Sequence, residues 1–232
     1  MTTWTRIAEQ IMLSAVESKI RMLGFTAPVS GSGTSAVARE VAEAFARSGR
    51  KTLFLDLTTA VRPSLAPGVW TPGSGDALAA VSVLPSGLMV LEADATEGSR
   101  KLFNNTDYLQ RMTSEELAEF SAIVMDLPAV REDEPSRLNP LAAARLADAV
   151  LMVCLTGHID RSQLSTAVEE LKPAGANLAG LILNDYFATT LGQDIATATT
   201  RTLGRLMPGL ARRIAGSARS SRFLNDDFIY VP

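Results

Sequence analysis

Cysteine and histidine are almost missing from this chain, with one of each in 232 residues. A single cysteine excludes a disulfide framework and suits a reducing compartment. Cys154 sits in an apolar run and reads as a small buried hydrophobe. His158 has no second His or Cys close by, which excludes the spacing of a zinc site and leaves it as a polar loop residue. No run of about 18 apolar residues is present, so no membrane-spanning helix is expected. The N-terminus lacks a basic stretch followed by an apolar one, so no secretory leader is read there. Together these absences predict a cytoplasmic location. No charge sign dominates: 22 Lys and Arg face 25 Asp and Glu, for a net charge of −3. That removes any global pull toward nucleic acid, and aromatics do not interleave with the basic residues.

What is present is a core and a repeating order. Apolar residues make up 47% of the chain, enough for one large α/β domain. A helical stripe runs over 3–20, through Ile7, Ile11, Met12, Ala15, Val16 and Ile20, and should pack on the sheet or on a partner. Strands are predicted at 23–26, 52–56, 87–91, 121–126, 148–155 and 178–184, and helices at 37–46, 77–81, 106–119, 139–146 and 161–171. Residues 58–86 are rich in Pro, Gly, Ser and Thr and read as a long surface loop around a short helix. Residues 131–137 read as a charged, exposed loop. Trp70 and the Asp107-Tyr108 pair read as packing or surface features. Alternating strands and helices imply a doubly wound, mostly parallel sheet flanked by helices, with ligands beyond the carboxyl ends of its strands. The expected organisation is an N-terminal helix (1–20), a nucleotide-fold domain (21–190), and a basic helical segment with a tail (191–232).

The stretch that organises the rest is Thr26-Ala-Pro-Val-Ser-Gly-Ser-Gly-Thr-Ser-Ala36, between the first strand and its helix. Strand, Gly-rich loop and helix form a phosphate cradle when loop N–H groups and the helix dipole converge. The alternative is an ordinary turn. A P-loop has Lys after its last Gly; here Thr34 stands in that place, while Ser35 keeps the hydroxyl that meets Mg²⁺ in such loops. Asp56 and Asp126 end two strands and are predicted at the same sheet edge as the loop. Capping of the next element is their alternative role.

These pieces together resemble the cytoplasmic domain of bacterial tyrosine kinases, within the MinD/ParA-like group of P-loop ATPases. The likeness covers residues 20 to 186. Gly31-Ser-Gly-Thr-Ser35 falls where that family has its Walker A loop. Residues 53–65 resemble its second Walker motif, with Asp56 as the first acid and no match for the second. Residues 121–130 resemble Walker B, and 147–153 and 180–184 match two later signatures. The resemblance implies nucleotide contacts from Gly31, Ser32, Gly33, Thr34 and Ser35, adenine contact from Asn184, and Mg²⁺ on Ser35, Asp56 and Asp126. It implies ATP or ADP with Mg²⁺ as cofactor, held weakly or not at all without the Lys. It also implies a partner, an inner-membrane polysaccharide co-polymerase, peripheral location at that membrane, and a homo-oligomer.

Three departures separate the chain from an active kinase. The Lys is Thr34, and neither Lys19 nor Lys51 lies at the right sheet edge to replace it. The tail holds one tyrosine, Tyr230, where the family has a phosphorylated cluster. The helix that reads Glu9-Gln-Ile-Met-Leu-Ser-Ala15 lacks the arginines of the family's oligomerisation element. These departures predict a non-catalytic relative acting in exopolysaccharide or capsule synthesis. The competing readings are an ATP-dependent tyrosine autokinase or ATPase with an unorthodox loop, and a MinD/ParA-like positioning protein. Residues 201–222 add six arginines and no acid, interleaved with Leu203, Leu206, Met207, Leu210 and Ile214. They read either as a solvated helix on the domain or as an element that meets anionic lipid or an acidic partner. The apolar end from Phe228 to Val231 is expected to pack against a neighbouring subunit.

Overall fold

Four short apolar runs build the centre of the molecule. In the computed structural model, β1 (Met22–Thr26) and β5 (Ala122–Asp126) are buried at every position. β2 (Thr52–Asp56) and β6 (Ala149–Leu155) are nearly so. Unbroken burial without alternation is what a parallel sheet covered on both faces requires. Residues 3–58, 70, 77–93, 101–102, 105–131, 139–185 and 216 are described. β4 (Met89–Glu92) and β7 (Leu178–Asn184) extend the sheet, and β3 (Ser82–Val83) closes one side. The order is β3-β4-β2-β5-β1-β6-β7. All pairs are parallel except β3 with β4.

Helices cover both faces. α1 (Thr3–Glu17) packs on α2 (Thr34–Arg47), and α2 lies on the sheet through Val37, Ala38, Val41, Ala42 and Phe45. Phe45 is 2% exposed in this cluster; truncating such a residue to alanine removes about 3–5 kcal/mol. The opposite face is covered by α3 (Thr106–Arg111), α4 (Pro140–Ala144) and α5 (Arg161–Leu171). Each of these three starts on a side-chain cap, from Asn105, Asn139 and Asp160. Asp160 and Gln163 form a reciprocal capping box.

The elements follow the sequence pattern with three differences. The helix expected over 106–119 is α-helical only to Arg111 and widens into a π-helical turn at Met112–Glu116. The Arg21 guanidinium sits against that widened end, donating to the carbonyls of Phe120, Thr113 and Leu117. It satisfies acceptors that a helix end leaves open. The second difference is β3, which lies inside the stretch read as loop. Two residues cannot display a period, yet Ser82 and Val83 pair with Val90 and Met89 across a turn closed by Leu84 and Leu88. The third is Trp70, fully buried and paired with Ala93, so part of the long loop is core. The chain divides into two compact units, Met1–Asn184 and Asp185–Pro232. The basic segment at 201–222 and Tyr230 lie outside the described residues, Gly216 excepted.

Candidate functional site

β1 lies between β5 and β6, while the strand that follows it in sequence, β2, lies beyond β5. The chain therefore changes direction across the sheet at the carboxyl end of β1, where such sheets hold ligands. The loop leaving β1 is fastened to the segment leaving β5. Thr26 Oγ1 donates to the Pro128 carbonyl at 2.7 Å. The N–H groups of Val130 and Arg131 donate to the carbonyls of Ala27 and Pro28 at 2.8 and 3.2 Å. Ser32, 2% exposed, spends its hydroxyl on the Val29 carbonyl at 2.9 Å.

Gly31 and Gly33 both have φ of +84°, a conformation that L side chains rarely take. Gly33 is the N-cap of α2 and is followed by Thr34 and Ser35 as its first two residues. No side chain caps this end. The first N–H groups of α2 have no intrahelical acceptor and point at the loop with the positive end of the dipole. That is the electrostatics of an anion cradle.

Asp56 and Asp126 are the last register pair of the β2/β5 ladder. Residues of alternating parity divide between the two faces: Leu53, Leu55, Ile123 and Met125 in one cluster, Phe54, Ala122 and Val124 in the other. Both aspartates continue the second series, so they lie on the face covered by α2. Asp126 is 0% exposed. Asp56 is half-buried, and its Oδ1 accepts from the Thr58 N–H and hydroxyl at 2.9 and 2.6 Å. Two carboxylates and the Ser35 hydroxyl are hard oxygen donors of the kind Mg²⁺ takes alongside substrate phosphates. The residues present fit a nucleotide with Mg²⁺, apart from Thr34.

The fold is that of the bacterial tyrosine kinase domains. The chain is similar to the kinase domain of Escherichia coli tyrosine kinase ETK, at 18% identity and TM-score 0.65, over 78% of this chain and 73% of that one. It is similar to the VpsO kinase domain at 19% identity and TM-score 0.62, over 78% and 92%. It is also similar to the septum site-determining protein MinD of Pyrococcus horikoshii, solved with Mg-ADP, at 20% identity and TM-score 0.52, over 73% and 72%. No protein-family model and no curated protein matches the sequence. Shared architecture at this identity establishes the fold and leaves activity to the site itself.

Within this kinase-like fold, the predicted residues fall as follows. Gly31 to Ser35, Asp56 and Asp126 come to one edge of the sheet. Asn184, at the end of β7, comes to the same loop: its Nδ2 donates to the Ser32 carbonyl at 2.9 Å. A Cβ on Gly33 would stand 2.5 Å from that nitrogen. Asn184 thus holds the loop, a role its place in the sequence did not reveal. Lys51 lies at the opposite edge, paired with Glu119 at 2.6 Å. His158 is exposed in the turn after β6. Among the described residues no group of three or more His, Cys, Asp or Glu gathers as a metal site. Sequence reading also missed Thr58 and Arg131; the Asp-x-Thr spacing at 56–58 is a detectable side-chain turn signal.

Proposed function

We propose that this chain is a non-catalytic, pseudokinase-like relative of the bacterial tyrosine kinases. In this reading it regulates exopolysaccharide or capsule synthesis by binding an inner-membrane polysaccharide co-polymerase. The observation that carries it is Thr34 at the first turn of α2, in an otherwise complete cradle. Phosphoryl transfer leans on a cation at that point, which offsets charge on the terminal phosphates as it builds in the transition state. A threonine hydroxyl offers a hydrogen bond and no charge. Retained glycine conformations, the Ser35 hydroxyl and the Asp56–Asp126 pair support binding of ATP or ADP without efficient transfer. Ser35, Asp56 and Asp126 would hold Mg²⁺, which would supply positive charge against the phosphates.

The co-polymerase supplies the membrane contact in this reading. No helix among the described residues is long and apolar enough to cross a bilayer. Likeness to kinase domains such as ETK and VpsO supports this partner class. Two measurements test the proposal. Purified protein with labelled ATP and Mg²⁺ should neither take up label nor turn over substrate, and steady incorporation or turnover would overthrow it. Pull-down with a co-polymerase cytoplasmic segment should retain the chain; no retention removes the regulatory half.

A further inference from the structure

The loss of Lys at position 34 removes a charge from the loop, and the fold brings a different one beside it. Arg131 lies five residues beyond Asp126, where the chain leaves β5. Its backbone N–H donates to the Pro28 carbonyl at 3.2 Å, and Arg131 and Val29 stand side by side as a parallel bridge. Paired backbones of this kind are about 4.8 Å apart. Arg131 is exposed, and no ion pair engages it among the described residues. Several other described cations lie elsewhere. Arg21, Arg50 and Lys51 precede strands, at the opposite edge of the sheet. Arg39 lies over the Phe54 ring at 5.4 Å, and Arg47 pairs with Glu40 at 3.2 Å. Arg161 opens α5, beyond β6. Arg131 is the described cation whose own backbone is bonded to the loop.

We propose that Arg131 supplies the positive charge that the loop lacks at Thr34, by contacting the terminal phosphates of a nucleotide in the cradle. The proposal rests on the reading of the Gly31–Ser35 loop as a phosphate site. A guanidinium presents a planar fork that matches phosphate oxygens two at a time, so it binds them well. Arriving from the strand beside the loop, it offsets charge on the phosphates of a bound nucleotide.

The test is titration calorimetry of the full chain with MgATP, MgADP and adenosine. Wild type should bind MgATP more tightly than adenosine. Arg131→Ala should weaken MgATP binding roughly tenfold to a hundredfold, the range of a charge-assisted hydrogen bond, and leave adenosine unchanged. Arg131→Lys should recover part of the loss. In a Thr34→Lys background the Arg131→Ala effect should shrink, because the two cations serve the same phosphates. An unchanged melting temperature without ligand confirms that the variants fold. If wild type binds MgATP and Arg131→Ala binds it equally well, this inference fails while the cradle reading survives. If wild type binds no nucleotide, both fail.

Discussion

Gly31 and Gly33 allow a controlled experiment, because they share a φ of +84° and differ in surroundings. A Cβ on Gly31 meets nothing within 4 Å, whereas one on Gly33 meets Asn184 Nδ2 at 2.5 Å. Gly31→Ala should therefore report backbone strain alone, about 1–2 kcal/mol. Gly33→Ala should report the same strain and the displacement of the Asn184 amide from the Ser32 carbonyl. That bond is worth about 0.5–1.5 kcal/mol, so the total is about 1.5–3.5 kcal/mol. For a chain of this size, that lowers the melting temperature by roughly 3–14 °C. Equilibrium urea unfolding of the two variants measures the difference directly. Asn184→Ala supplies the third corner. It removes the obstacle, so in the double variant Gly33→Ala should cost no more than Gly31→Ala does, a coupling of at least about 0.5 kcal/mol. Equal costs for the two glycine variants, or strict additivity with Asn184→Ala, would refute the idea that Asn184 fixes the loop.

Other outcomes follow from neighbouring features. Thr34→Lys should raise MgATP affinity roughly tenfold to a hundredfold by calorimetry; no change would mean the cradle is closed to phosphate. Arg21→Ala strips the carbonyls of Phe120, Thr113 and Leu117 of their donor. It should lower stability by about 2–4 kcal/mol in urea unfolding, with nucleotide affinity intact because the clamp lies at the far edge. Burial pushes the Cys154 thiol up from its ordinary 9.0. The unfolded chain ionises first, so the thiol's contribution is complete below 9.0 and is lost as pH rises through the higher folded value. The stability gap between wild type and Cys154→Ala should therefore narrow as pH rises past 9.0, read from urea midpoints. A constant gap would show that the thiol titrates normally.

The strands of the central sheet were legible because buried parallel strands write themselves as apolar runs, as in Leu53 to Leu55 and Ala149 to Leu155. Asp56 and Asp126 were legible as edge residues because each ends such a run. What the sequence hid depends on contacts distant along the chain. The widening at Met112–Glu116 is read only beside Arg21, which collects its carbonyls from some ninety residues upstream. β3 is too short for any period and exists because β4 offers it a partner. Arg131 looked like one charge in a charged stretch until the Val29 bridge set it beside the loop.

The bond between Asn184 and Ser32 joins residues 152 positions apart. On a ribosome adding about 5–20 residues per second, Asn184 emerges on the order of ten to thirty seconds after Ser32. Through that interval the loop has its glycines and its helix but not its latch. A nascent chain therefore cannot present the finished cradle until the outermost parallel strand docks. Non-local closures of this kind come late, because the entropy of the intervening chain must be overcome first. The closed loop in this domain is in that sense a report that synthesis has reached β7.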